Sequence, residues 1–157
     1  MKKIVFGVSF VSMFYTSCKN EPTVLERIND KGVKVNIKSV NGKYLSSNWD
    51  EFIYADKDEP STWEEFTVYA LKDGNYVIQA HTGKYLSADL GSEQEIESNR
   101  DQYSTWETFS LIEINDSSLA IKASSGKFVA IRAKDLRLFA SSDTINNTEQ
   151  FIFKIKN

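Results

Sequence analysis

One short phrase recurs three times in this chain and constrains its fold more than any other feature. A glycine is followed by lysine, an aromatic residue and an aliphatic residue, at Gly42-Lys43-Tyr44-Leu45, Gly83-Lys84-Tyr85-Leu86 and Gly126-Lys127-Phe128-Val129. An isoleucine precedes each phrase at the same distance, at Ile37, Ile78 and Ile121. The copies follow one another at intervals of about 40 residues, and such a period predicts one supersecondary unit per copy.

Each copy has the pattern of β-strands. Hydrophobic and polar residues alternate in Val33-Lys34-Val35-Asn36-Ile37, which is the period of a half-buried strand. Turn formers such as Asn41-Gly42 separate consecutive strands. We predict about four short strands per copy, twelve in all, between Val33 and Ile155. Three copies are too few for a propeller, whereas a closed threefold barrel capped by hairpins leaves no open sheet edge.

A second phrase closes each copy, at Trp63-Glu64-Glu65-Phe66, Trp106-Glu107-Thr108-Phe109 and, without the tryptophan, Thr148-Glu149-Gln150-Phe151. Together with the glycine phrases, these residues resemble a β-trefoil domain of the fascin-like type. The resemblance covers residues 33–157 and implies an all-β domain of three repeats. Because Glu64 and Glu107 recur with the symmetry, we interpret them as forming a structural hydrogen bond and not a catalytic acid/base pair.

The lysine of the glycine phrase recurs as well, at Lys43, Lys84 and Lys127. A lysine stem can cover apolar surface while its ammonium group stays in water. We therefore expect each of these lysines to lie over the aromatic ring that follows it.

The N-terminus has the pattern of an export signal. Lys2-Lys3 is followed by an apolar run, Ile4–Tyr15, that is too short to span a bilayer. Thr16-Ser17 then leads into Cys18, the single cysteine of the chain, and this order resembles a bacterial lipoprotein signal. The resemblance implies a signal peptide over 1–17, lipidation of Cys18, a tether over 18–32, and a lipid-anchored location in the bacterial cell envelope, at the outer membrane or cell surface. The alternative is a free thiol in a secretory signal that is cleaved elsewhere.

Charge and motifs exclude several functions. The formal net charge is −3, and no lysine- and arginine-rich run interleaved with aromatics occurs, so nucleic acid is not a predicted partner. His81 is the single histidine, which excludes a histidine-rich metal site. No Gly-x-Ser-x-Gly motif is present to expose a nucleophile. We therefore predict a monomeric, non-enzymatic protein without metal or cofactor.

Trp49 is the strongest candidate for a ligand contact, because the matching positions of the other copies hold no tryptophan. Asp50 and Glu51 follow it in a loop, and Tyr54 lies on the next predicted strand. A loop tryptophan can stack on a sugar ring while carboxylates accept hydrogen bonds from the hydroxyls of the sugar. The alternative is a tryptophan that covers the barrel.

These residues favour a carbohydrate-binding module as the function of the chain. The alternative is a protein-interaction module, such as an adhesin or an accessory subunit of a surface complex. A protease inhibitor built on a trefoil is a third hypothesis, with Asp89–Gln94 as the candidate loop.

Overall fold

The structure is a computed structural model, and it describes residues 21–89, 91 and 94–157. The predicted signal peptide at 1–17 and the predicted lipidation site Cys18 lie outside the described residues. Within the part of the chain that is described, no helix is long and apolar enough to cross a membrane.

Strands make up nearly all of the regular structure of the described residues. These residues also contain one short α-helix, α1, which spans Val24–Arg27. The strands are β1 (Val33–Ser39), β2 (Tyr44–Ser47), β3 (Ile53–Lys57), β4 (Glu65–Ala70), β5 (Tyr76–Ala80), β6 (Tyr85–Ser87), β7 (Glu97–Arg100), β8 (Thr108–Asn115), β9 (Ser118–Ala123), β10 (Phe128–Ile131), β11 (Leu138–Ser142) and β12 (Gln150–Ile155). Three single-turn 3₁₀ helices, which we call the closing turns, lead directly into β4, β8 and β12, and they span Thr62–Glu64, Thr105–Glu107 and Asn147–Glu149.

Six of the strands close into an antiparallel barrel. β1 pairs with β4, β4 with β5, β5 with β8, β8 with β9, β9 with β12, and β12 returns to β1. The other six form three hairpins, β2–β3, β6–β7 and β10–β11. Single bridges, such as that between Tyr54 and Arg137, join the hairpins to one another. The predicted all-β trefoil of twelve strands is therefore confirmed, and closure removes the sheet edges of the barrel.

Residues that recur in the repeat fill the interior of the barrel. The phenylalanine of each closing phrase is at most 1% exposed, at Phe66, Phe109 and Phe151. The segment before β1 joins the same cluster, because Ile28 is buried in it and α1 packs Val24 and Leu25 against it. A capping box between Thr23 and Glu26 fixes the start of α1. Part of the predicted tether therefore packs against the domain.

The recurring glutamates stabilise the closing turns. Glu64 is 2% exposed, and its Oε2 atom accepts hydrogen bonds from the backbone nitrogen and the hydroxyl of Ser61 at 2.6 and 2.8 Å. Glu107 does the same with Ser104 at 2.8 and 3.0 Å. In the third copy Glu149 accepts from the backbone nitrogen of Asn146 at 2.7 Å. The interpretation of Glu64 and Glu107 as structural residues is confirmed.

The recurring lysines form ion pairs and not the predicted contacts with the aromatic rings that follow them. Their ammonium groups form ion pairs with aspartates of later loops: Lys43 with Asp58, Lys84 with Asp101 and Lys127 with Asp143, at 2.5, 2.5 and 2.6 Å. A carboxylate at hydrogen-bonding distance is a stronger partner for an ammonium group than a ring face is. Other lysines lie over two of the three rings, and these contacts bear on ligand binding below.

Gly32, in the turn before β1, holds a backbone conformation that suits glycine alone. Its φ angle is +86°, and a Cβ atom there would lie 2.4 Å from Cε1 of Tyr69. We expect Gly32→Ala to lower the free energy of unfolding by about 1–3 kcal/mol, because the left-handed backbone and the displaced ring both cost energy. Urea unfolding followed by circular dichroism measures the change.

Gly74→Ala is the matched control for this prediction. Gly74 has a φ angle of +85° but no atom within 4 Å of the position of a Cβ. Its variant should therefore show the backbone cost alone, about 1 kcal/mol. Equal losses for the two variants would show that the Tyr69 contact adds nothing.

Candidate functional site

Trp49 forms one wall of a surface cleft, and Trp63 forms another. The Trp49 side chain is 87% exposed and that of Trp63 is 41% exposed. The cleft has a volume of about 290 Å³, and its remaining lining residues are polar: Asn48, Lys57, Glu59, Ser61 and Glu64. We call it the tryptophan cleft. Its volume lies near the lower end of the range for small-ligand pockets.

The walls of the tryptophan cleft are held by hydrogen bonds from the end of β2. Ser46 donates its hydroxyl hydrogen to Oδ1 of Asn48 at 2.8 Å, and Ser47 donates to the carbonyl of Trp63 at 3.3 Å. The edge of the Trp63 ring meets His81, with ring centroids 4.6 Å apart. Strand β2 is buried along its whole length. The two tryptophans therefore project from fixed backbone positions.

The chemical groups around the cleft suit a polyhydroxylated ligand. Two indole faces can stack on the C–H faces of a sugar ring, and Asn48, Ser61 and Glu59 supply amide, hydroxyl and carboxylate groups. Lys57 adds an ammonium group; Asp56 accepts a hydrogen bond from it at 2.9 Å and raises its pKa. Mixed donors and acceptors beside aromatic surface are typical of sites that orient a small polar ligand.

The other residues that were predicted to accompany Trp49 lie elsewhere. Asp50, Glu51 and Tyr54 are not among the described residues that line the tryptophan cleft. Glu51 is exposed, and its backbone turns with a φ angle of 70°, which separates Trp49 from the residues after it. Its carbonyl accepts a hydrogen bond from the backbone nitrogen of Ser98 at 2.7 Å. The structure thus brings Trp49 together with Trp63 and not with its sequence neighbours.

Asp50 and Tyr54 belong to a polar cluster between the hairpins. The Tyr54 hydroxyl donates to Oδ2 of Asp50 at 2.6 Å and accepts from Nε of Arg137 at 3.1 Å. Arg137 also donates to Glu95 at 3.0 Å, and its guanidinium group stacks 3.9 Å over the ring of Phe52. Burial, followed by the hydrogen bond to Asp50, raises the pKa of Tyr54. These contacts connect the hairpins to one another. The side chains of Asp50 and Tyr54 therefore have structural partners.

A second concavity, which sequence analysis missed, lies between the barrel and the β6–β7 hairpin. Its volume is about 580 Å³, and three tyrosines line it: Tyr69 from β4, Tyr85 from β6 and Tyr103 from the loop before the second closing turn. We call it the tyrosine groove. The rings of Tyr85 and Tyr103 meet edge to face, with centroids 5.3 Å apart. The three residues are distant in sequence, so no local motif marks the groove.

The described residues contain no group of three or more histidine, cysteine, aspartate and glutamate side chains that could hold a metal ion. In the acidic stretch Asp56–Glu59, two carboxylates pair with lysines of the protein itself. Asp56 pairs with Lys57 at 2.9 Å, and Asp58 pairs with Lys43 at 2.5 Å.

Comparison with known sequences gives one family. The profile described as "Domain of unknown function (DUF7910)" matches residues 71–157, which is more than half of the chain. A comparison with proteins of curated function finds no match.

Comparison with solved structures gives β-trefoils. A designed threefold symmetric protein, ThreeFoil, superposes with a TM-score of 0.68 at 15% identity and covers 77% of this chain and 97% of its own. SeviL bound to asialo-GM1 saccharide gives a TM-score of 0.65 at 15% identity, over 78% of this chain and 96% of its own. The Polyporus squamosus lectin bound to Neu5Aca2-6Galb1-4GlcNAc gives 0.66 at 16% identity, over 78% of this chain and 48% of its own. At such identities the likeness shows the fold alone.

Proposed function

We propose that this chain, which belongs to the DUF7910 family of unknown function, is a non-catalytic carbohydrate-binding module of the bacterial cell envelope. The observation that carries the proposal is the 87% exposure of Trp49 beside a second tryptophan in a polar cleft. A large aromatic side chain left in water costs free energy that ligand burial recovers. Two β-trefoils of similar fold hold saccharides in their structures, which supports the same ligand class here.

The proposed envelope location rests on the N-terminal sequence. Lys2-Lys3, the apolar run and the small residues before Cys18 have the order of a bacterial lipoprotein signal. The lipid on Cys18 would anchor the module to the membrane, and residues 18–32 would connect it to the barrel. The recurring glycine phrases support the fascin-like type of β-trefoil. The module would therefore present its tryptophan cleft from a membrane-bound stalk.

The test is Trp49→Ala in the purified protein, titrated with a glycan panel by isothermal calorimetry. We expect the affinity for the glycan that binds the tryptophan cleft to fall by about 30-fold or more, because an exposed aromatic anchor of this kind contributes 2 kcal/mol or more. The free energy of unfolding should change by no more than about 0.5 kcal/mol, because the side chain packs on little.

Trp49→Phe is the matched control, since it keeps an aromatic face at the same position and should retain part of the affinity. A folded wild-type protein that binds no glycan on the panel would contradict the proposal. That outcome would favour the protein-interaction module, and capture of envelope proteins by wild type but not by Trp49→Ala would then identify the cleft as a protein contact.

A further inference from the structure

Each repeat has an aromatic residue at the same position, Tyr44, Tyr85 or Phe128. A lysine side chain covers the ring in the first and third repeats only. The strand register pairs Lys38 with Tyr44, Gln79 with Tyr85 and Lys122 with Phe128. In the first repeat the ammonium group of Lys38 lies 4.9 Å from the ring centroid of Tyr44, and in the third that of Lys122 lies 5.3 Å from Phe128. A lysine thus lies over the ring wherever this cross-strand partner is lysine.

The middle repeat breaks this pattern at Gln79. Its Nε2 atom donates to the carbonyl of Gly83 at 2.7 Å, and its Oε1 atom accepts from the hydroxyl of Tyr69 at 3.0 Å. Both ends of the amide are therefore engaged by Gly83 and Tyr69. The ring of Tyr85 is left facing Tyr103 and the tyrosine groove.

Four polar groups of the groove can meet a ligand. Within the described part of the chain, no hydrogen bond or ion pair engages the hydroxyls of Tyr85 and Tyr103, the carboxylate of Asp30 or the ammonium group of Lys72. Burial, followed by the nearby phenols of Tyr69 and Tyr103, raises the pKa of Tyr85, so its hydroxyl stays protonated at neutral pH. Between these groups lie apolar side chains, including Val77.

We propose that the tyrosine groove is a second saccharide site, which takes an uncharged pyranose unit of a glycan. The ring of the sugar would stack on Tyr103 and contact the inclined ring of Tyr85, while Asp30 and Lys72 bind its hydroxyls. Among the described lining residues, Asp30 and Asp73 outnumber the cation Lys72, and this charge disfavours acidic sugars. The volume of about 580 Å³ is in the range for small-ligand pockets.

The two sites share no described lining residue. The module would therefore hold two glycan units at once, and two linked sites bind a branched or surface-bound glycan more tightly than either alone. This inference rests on the proposed function for the class of ligand, but it does not depend on the tryptophan cleft.

Gln79→Lys tests the proposal by giving the middle repeat the residue that covers the ring in the other two. A glycan array of neutral oligosaccharides is probed with wild type, Gln79→Lys and Trp49→Ala. We expect Gln79→Lys to lose at least tenfold in binding to a set of neutral glycans that Trp49→Ala retains. Gln102→Lys is the matched control, because it adds the same charge on an exposed residue outside the groove lining.

Tyr103→Ala is a second variant that tests the groove even if Gln79→Lys destabilises the barrel. Tyr103 is 49% exposed and lies outside the strands, so its removal should spare the fold and reproduce the same loss. Unchanged binding in a folded Tyr103→Ala protein would overturn the groove as a site. A Trp49→Ala protein that binds none of the glycans would also overturn the groove as a site, because all binding would then depend on the tryptophan cleft. Losses in the groove variants alone would uphold the groove and contradict the cleft.

Discussion

Truncation of Phe109 to alanine is expected to lower the free energy of unfolding by about 3–5 kcal/mol. The side chain is 1% exposed and belongs to the second residue of β8, whose neighbours β5 and β9 both lie in the barrel wall. Removal of a buried ring loses its transfer free energy and leaves a cavity that a closed barrel cannot collapse to fill. For a domain of marginal stability, this change is a large part of the total.

Guanidinium chloride unfolding followed by tryptophan fluorescence measures this loss. Phe66 and Phe151 occupy the same position in the other repeats and are each 0% exposed, so their alanine variants should fall in the same range. Trp49→Ala is the control, because it removes a larger ring from an exposed position and should leave the midpoint nearly unchanged. A loss below about 1 kcal/mol for Phe109→Ala would contradict a shared core.

The repeat made the fold predictable from sequence, because a barrel of this kind places equivalent residues of three copies in one core. Ile37, Ile78 and Ile121 were aligned from spacing, and all three are buried in the same cluster. The first copy shows how close the prediction came: the alternating stretch Val33–Ile37 lies within β1, which spans Val33–Ser39. Lysine partners were harder to predict, since Asp58 lies in a loop that the alignment of strands does not constrain.

The candidate site was predictable only in part. Trp49 is exposed, and the matching positions of the other two copies hold no tryptophan. The two observations agree, because the shared core does not need a residue that only one copy has. Its partner Trp63 recurs as Trp106, and a recurring residue is expected to pack in the fold. Trp63 nevertheless lines the cleft, where the hydroxyl of Ser47 at the end of β2 donates to its carbonyl. Such a pairing depends on tertiary contacts that sequence order does not contain.

The sequence contains one feature that marks the tyrosine groove, although sequence analysis did not use it. In the first and third copies the isoleucine of the repeat is followed by lysine, at Lys38 and Lys122, whereas the middle copy has Gln79. One polar residue in place of another on a strand is unremarkable in sequence. The effect of Gln79 depends on the tertiary structure. The strand register places it opposite Tyr85, and Tyr103 from another loop contacts the same ring.

Replacement of Glu107 by alanine is expected to lower the free energy of unfolding by about 2–4 kcal/mol at pH 7. Its carboxylate accepts from the backbone nitrogen and hydroxyl of Ser104 at 2.8 and 3.0 Å and from the hydroxyl of Ser87 at 2.8 Å. Nε of Arg100 lies 3.6 Å away. Glu107 is 3% exposed, so its removal leaves the buried hydroxyl of Ser87 and the backbone nitrogen of Ser104 without their acceptor.

The pH dependence of Glu107→Gln separates the charge of the carboxylate from its shape. Burial alone would raise the pKa of Glu107, but the hydrogen bonds from Ser87 and Ser104 outweigh it and lower the pKa. A carboxylate whose pKa is lower in the folded state stabilises the protein above its unfolded pKa of about 4.3, and this stabilisation is lost as the pH falls through the folded value. The stability difference between wild type and Glu107→Gln should therefore be full at pH 6–7 and shrink below about pH 4.

Urea unfolding between pH 7 and pH 3 measures this difference, with Glu113→Gln as the control on the same strand. Glu113 is exposed, so its variant should track wild type at every pH. A difference for Glu107→Gln that stays constant down to pH 3 would show that its charge does not stabilise the closing turn.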